Sequence, residues 1–208
     1  MDIKNVKQIV LDICENVDEV MFENGFNRRK DSRVYSRKIN NGKQRVEVVF
    51  STHPLGQPNA LAQIYPFLSV YFPDINNLAI SVLGEDNDII RGLPNLTLRQ
   101  PFFIKGTDGY WYLFHESEKQ GLSSQIANFF RVNALPFLNS LTDIDTYLKM
   151  FEAQDKRLIM DDRQHIYFAF AYALKGEYRK GYNLLDKRFG ALTRRKNPTL
   201  FEYFEQRL

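Results

Sequence analysis

One cysteine, three histidines and one tryptophan in 208 residues remove several kinds of chemistry at once. A lone thiol, Cys14, excludes an intrachain disulfide and any cysteine-built zinc cluster. No two of His53, His115 and His165 stand two to four residues apart, so the spacing of a paired-histidine metal site is missing. There is no G-x-x-x-x-G-K-[ST], no G-x-G-x-x-G and no G-x-S-x-G, which leaves phosphate cradles and a nucleophile elbow without support. No apolar run nears the roughly 20 residues that span a bilayer. The first residues lack a basic stretch followed by an apolar one, as a secretory signal would have. The expectation is a cytoplasmic protein with no membrane segment, no metal and no cofactor.

What is present is a core-forming composition: 44% hydrophobic, 25% charged and 14% aromatic residues, with 17 Phe and 11 Tyr. The net charge of +3 hides a segregation along the chain. Residues 1–24 carry a net of -4, residues 25–50 a net of +6, residues 51–174 a net of -4 and residues 175–208 a net of +5. Such blocks speak to partners and solubility rather than to fold.

Ile3, Val6, Ile9, Val10, Ile13, Cys14, Val17, Val20 and Met21 recur at three and four, an apolar arc of about 140° at 100° per residue. The spacing predicts an amphipathic first helix ended at Asn24-Gly25. The period then falls to two, which predicts strands over 34–39 and 44–51 joined across Asn40-Asn41-Gly42-Lys43. Further strands are expected over 67–72 and 78–83, with residues 84–101 crossing an edge of the sheet. Residues 102–105 and 110–114 flank Gly106-Thr107-Asp108-Gly109, a second hairpin signal. After His115 helical spacing runs to the end, with a bend at Pro136, a cap at Thr142-Asp143, a dense aromatic helix over 166–174 and a stop at Gly190. The fold class is therefore α+β: an N-terminal helix, an antiparallel sheet of five to six strands, then helices. The expected division is a helix-plus-sheet domain over 1–140 and a helical segment over 141–208.

Three stretches carry a resemblance: Phe22-Glu23-Asn24-Gly25-Phe26-Asn27-Arg28 running into Tyr35-Ser36-Arg37; Phe67-Leu68-Ser69-Val70-Tyr71-Phe72; and Ala134-Leu135-Pro136-Phe137-Leu138 before Leu141-Thr142-Asp143-Ile144-Asp145. Together they resemble the bacterial domain-of-unknown-function family number 4304 over about residues 5–150. The resemblance implies no catalytic residues, and it implies a connection to toxin systems as an immunity protein. Farther on, Ala173-Leu174-Lys175-Gly176-Glu177-Tyr178 with Gly181 is similar to the helix junction of one tetratricopeptide repeat, which implies a helical hairpin.

The densest basic region is Arg28-Arg29-Lys30, Arg33, Arg37, Lys38, Lys43 and Arg45. On a strand Arg33, Tyr35 and Arg37 share a face, a row of cations around a ring that suits phosphates and stacked bases. Cations that keep a sheet edge from aggregating are the competing structural reading. Lys187, Arg188, Arg194, Arg195 and Lys196 form a second cluster near a helix end, where the helix dipole also favours them. His53, in a proline-flanked loop after a strand, is the best isolated site candidate. The leading expectation is a non-enzymatic binding protein whose partner is a protein, an acidic surface of a toxin for example, contacted through Arg28, Arg29, Arg33, Tyr35, Arg37, Lys38, Arg45 and His53. Nucleic-acid binding by the same hairpin is the alternative. A hydrolase built from His53, Glu47 and distant carboxylates ranks third.

Overall fold

The computed structural model describes residues 3–87, 110–158 and 160–208. Helix α1, Ile3–Glu23, buries Val6, Ile9, Val10, Leu11, Ile13, Cys14, Val17, Val20 and Met21, the stripe that its spacing predicts. Each such aliphatic side chain stabilises the fold by about 1.5–3 kcal/mol relative to exposure. The helix ends in a Schellman turn: Phe26 N–H donates to Met21 C=O at 3.1 Å and Gly25 N–H to Phe22 C=O at 2.9 Å. Gly25 takes φ 77°, a conformation that costs an L side chain dearly, and Phe26 and Met21, the positions between which an apolar contact accompanies this turn, are both buried.

The sheet is antiparallel with five strands in the order β1-β2-β3-β4-β5. They are β1 Asn27–Arg28, β2 Val34–Ile39, β3 Gly42–Thr52, β4 Ala62–Tyr71 and β5 Trp111–Leu113. The first hairpin is tighter than its four turn-forming residues suggest, because β3 begins at Gly42 and leaves a two-residue turn, Asn40-Asn41. A Cβ on Gly42 would stand 2.4 Å from the Tyr71 carbonyl oxygen, so the neighbouring backbone demands glycine there. Strand β1 pairs with β2 through Asn27↔Ser36 and Arg28↔Tyr35. Strand β5 pairs with β4 through Ala62↔Leu113, Gln63↔Tyr112 and Ile64↔Trp111.

The strand expected over 78–83 is instead the second half of helix α2, Pro73–Leu83. A short, mostly apolar run does not separate helix from strand by its period, and the deciding signals lie upstream. Pro73 opens the helix, where its missing N–H costs nothing, and Asp74 sits in the first turn, where the helix dipole favours a carboxylate. The strand expected over 102–105, its turn at 106–109 and most of the crossing stretch 84–101 lie outside the described residues.

Helices α3 Lys119–Phe129 and α4 Leu135–Asn139 are joined by a π-helical turn, Phe130–Ala134. Pro136 cannot donate to the helix ladder and crowds the preceding turn, so the helical path widens just before it, where sequence predicts a bend. Downstream lie α5 Ile144–Glu152, α6 Asp162–Leu174, α7 Tyr178–Lys196 and α8 Pro198–Glu205. Asp143 caps α5 by accepting from Thr146 N–H at 2.8 Å, and that bond holds its carboxyl below the usual range. Gly190, at φ 59° and ψ -161°, interrupts α7 where sequence predicts a stop.

The chain forms two compact units, one of residues 1–39, 43–69 and 99–141, the other of residues 40–42, 70–98 and 142–208. In the first, α1 packs on α3. Buried Gln44 donates to the carbonyls of Leu138 at 2.6 Å and Leu141 at 2.7 Å, satisfying backbone acceptors in the last turn of α4 and just beyond it. In the second, α6 is the central helix, buried from Ile166 to Ala173 and therefore without a polar stripe. Phe168 stacks between Tyr147 at 4.1 Å and Phe151 at 4.2 Å. Helices α6 and α7 form the helical hairpin that the Gly176-Glu177-Tyr178 junction predicts, and Gly181 lets α7 approach Ala169 and Phe204.

Candidate functional site

The basic region at the first hairpin divides into two faces with opposite fates. Arg28 and Tyr35 are opposite each other across β1 and β2 and point toward α1. Arg28 grips Asp18 of α1 with both arms of its fork, Nε to Oδ1 at 2.8 Å and Nη2 to Oδ2 at 2.6 Å. Its Nη1 donates to the carbonyls of Lys30 at 2.8 Å and Ser32 at 2.7 Å. The side chain is only 3% exposed, and the bond to Asp18 raises its pKa above the ordinary arginine value. The Tyr35 hydroxyl lies 2.8 Å from the Cys14 carbonyl oxygen and 2.9 Å from Asp18 Oδ1; its one proton serves one acceptor at a time. Burial raises the Tyr35 pKa and pushes the Cys14 thiol up to about 12. Cys14 is thus an inert core thiol rather than a nucleophile.

Arg37 and Arg33 are drawn to the same side. Arg37 donates to Gln44 Oε1 at 2.7 Å, to the Asn24 carbonyl at 2.9 Å and to Asn139 Oδ1 at 2.6 Å, with its guanidinium 4.6 Å from the centre of the Phe26 ring. Arg33 donates to the Val48 carbonyl at 3.0 Å and lies over Phe50 at 4.9 Å. The row Arg33, Tyr35, Arg37 is therefore the inward row, which corrects the reading that exposed it to a ligand. The Tyr35 ring is 0% exposed and cannot stack on a base. Arg28 and Tyr35 fasten this face to α1, Arg37 ties it to Asn24 and to Asn139 at the end of α4, and Arg33 ties the start of β2 to β3.

The other face of the hairpin keeps its charge outward. Lys38, Lys43 and Arg45 are exposed. Val48 N–H donates to Arg33 C=O at 2.9 Å and Arg37 bonds Gln44 across the strands; with the two-residue turn, this register sets Lys38 directly across from Lys43. Like charges so placed destabilise a sheet. Arg45 is paired with Glu47 at 2.7 Å, but among the described residues Lys38, Lys43, Arg29 and Lys30 have no carboxylate partner. Protection of a sheet edge does not account for them all: β3, which carries Lys43 and Arg45, is an interior strand of the order β1-β2-β3-β4-β5.

His53 is exposed and adopts φ 54° just past β3. Glu47 and Thr52 are five strand residues apart, about 17 Å, so Glu47 cannot exchange a proton with the neighbouring His53. In the second basic cluster two of the five cations are paired within the chain: Arg188 with Asp162 at 2.6 Å and Arg194 with Glu205 at 2.9 Å. Asp18 is the functional partner that sequence reading misses, since it lies with the polar residues of α1. Its signal is its place four residues after Cys14, at the rim of the buried stripe.

These features define an α+β protein whose exposed hairpin face is basic and whose inward hairpin face is a clamp. No helix among the described residues is long and apolar enough to cross a membrane, and no group of three or more His, Cys, Asp and Glu among them is placed to hold a metal ion. No family model matches the chain, no curated protein matches it and no solved structure matches it.

Proposed function

We propose that this chain is a non-enzymatic binding protein whose outward hairpin face, centred on Lys38 and Lys43 with Arg45 beside them, docks on an acidic surface of a protein partner. The observation that carries the reading is the Lys38–Lys43 pair on adjacent strands, without a carboxylate partner among the described residues, which costs the fold and is relieved by carboxylates from a partner. A partner of this kind is steered by charge at encounter, so association slows as salt rises. The resemblance to family number 4304 makes a toxin the first partner to try, with the chain acting as its immunity protein. Nucleic-acid binding loses its stacking ring with Tyr35 buried, and keeps only cations to recommend it.

The test is a pull-down from native lysate at low and at high salt, comparing the natural chain with the double variant Lys38→Glu/Lys43→Glu. A stoichiometric protein retained by the natural chain and lost by the variant is the expected result. Equal capture by both places the interface elsewhere. Recovery of nucleic acid in place of protein overturns the protein-partner reading.

A further inference from the structure

A groove of about 660 Å³ lies beside β5 in the first unit, lined by Tyr110, Trp111, Tyr112 and Phe114 on one side and by residues of the Glu116–Glu118 turn and α3 on the other. Four rings within five residues are unusual for a wall that is only half-buried. Tyr110 and Tyr112 meet edge to face at 5.4 Å, and Tyr112 and Phe114 lie 6.3 Å apart, so the rings form a ladder rather than a collapsed cluster. Trp111 is fixed edge to face against Phe129 at 5.5 Å.

The charge at the groove comes from Glu118. Its Oε2 accepts from the backbone N–H of Phe114 at 2.8 Å and of His115 at 3.1 Å, which fixes the carboxylate at the end of the ring ladder. Those bonds also hold it below the usual carboxylate range, so it is ionised at neutral pH. Glu118 is the one charged group among the described residues lining the groove. The neighbouring ammonium, Lys119, is engaged by Asp12 at 2.7 Å. Ring faces carry negative potential and attract cations, most strongly where water is partly excluded. Rings with one fixed carboxylate, and no cation among the described lining residues, are the chemistry that receives an ammonium or guanidinium group and disfavours anions.

We propose that this groove is a binding site for an organic cation, held by the faces of Tyr112 and Phe114 and by the Glu118 carboxylate. The site is independent of the basic hairpin and would select the opposite sign of charge. Trp111, the single tryptophan of the chain, lines it and reports occupancy through its fluorescence.

Titrating the full chain at constant ionic strength with tetramethylammonium chloride, with acetyl-arginine amide and with neutral tert-butanol tests this without any mutation. Both cations, or one of them, should change the fluorescence saturably with a Kd of about millimolar order, while tert-butanol should not. Preference for tetramethylammonium assigns a free quaternary ammonium ligand; preference for the arginine amide assigns a basic side chain of another polypeptide. Glu118→Gln, which keeps an oxygen to accept the two N–H bonds, and Tyr112→Leu should each weaken binding about ten-fold. Saturation by tert-butanol equal to that by the cations, or no saturable change up to roughly 100 mM cation, overturns the proposal.

Discussion

Arg28 shows how far a side chain's chemistry depends on which way its strand faces. Its guanidinium meets Asp18 bidentately and two carbonyls besides, a geometry that lysine cannot reproduce with its single ammonium. Arg28→Met removes one partner and strands Asp18, whose side chain is 20% exposed. The expected loss is about 3 kcal/mol, the low end for breaking a buried pair because Asp18 retains some water. Urea unfolding measures it, and a loss under about 0.5 kcal/mol, the range of ordinary surface substitutions, contradicts the clamp. Much of this was open to reading in the sequence. A two-residue turn sets Tyr35 across from Val46, and Val46 and Val48 mark the buried face of β3, so Tyr35 and its flanking arginines had to face inward with them. Reading β2 alone, with Tyr35 between two arginines, hides that coupling. Asp18 was harder to read, because a carboxylate at the rim of an apolar stripe looks the same whether it meets water or a guanidinium from another element.

Elements with their own punctuation were the legible ones. Helix α1 had its stripe and its Gly25 stop, β2 and β3 had period two, α5 had Asp143, and α7 had Gly190. Helix α2 was misread because Leu78-Ala79-Ile80-Ser81-Val82-Leu83 fits a strand as well as a helix, and Pro73-Asp74 signals a turn as readily as a helix start. Gly181 carries a consequence at this scale, since α7 can lie close to its neighbours only while no side chain intervenes. A Cβ there would stand 2.5 Å from Phe204 Cε1 and 2.9 Å from the Ala169 carbonyl oxygen. The ring can yield but the backbone oxygen cannot do so without shifting α6. Despite alanine's higher helix propensity, Gly181→Ala should destabilise the chain by about 1–3 kcal/mol, read by thermal unfolding with the far-ultraviolet spectrum retained. A stabilised variant would show that the approach is looser than described.

At the scale of the whole molecule, a net charge of +3 conceals a distribution in which some cations are engaged by the fold's own carboxylates and others stand exposed. Arg28, Arg45, Lys119, Lys175, Arg188 and Arg194 are each paired with a carboxylate. Among the described residues Lys38 and Lys43 have no such partner, although Glu at either position would offer the sheet a cross-strand ion pair. Sequence showed where positive charge is dense; only the folded chain separates the cations it uses from those it leaves exposed. The central claim is that the Lys38–Lys43 face is kept for a partner at the expense of stability. The most direct measurement of it is urea unfolding of Lys38→Glu beside the natural chain, with partner capture assayed on the same preparations. The expected result is a gain of about 0.2–1 kcal/mol together with lost capture. A variant that is less stable and still captures its partner would contradict it.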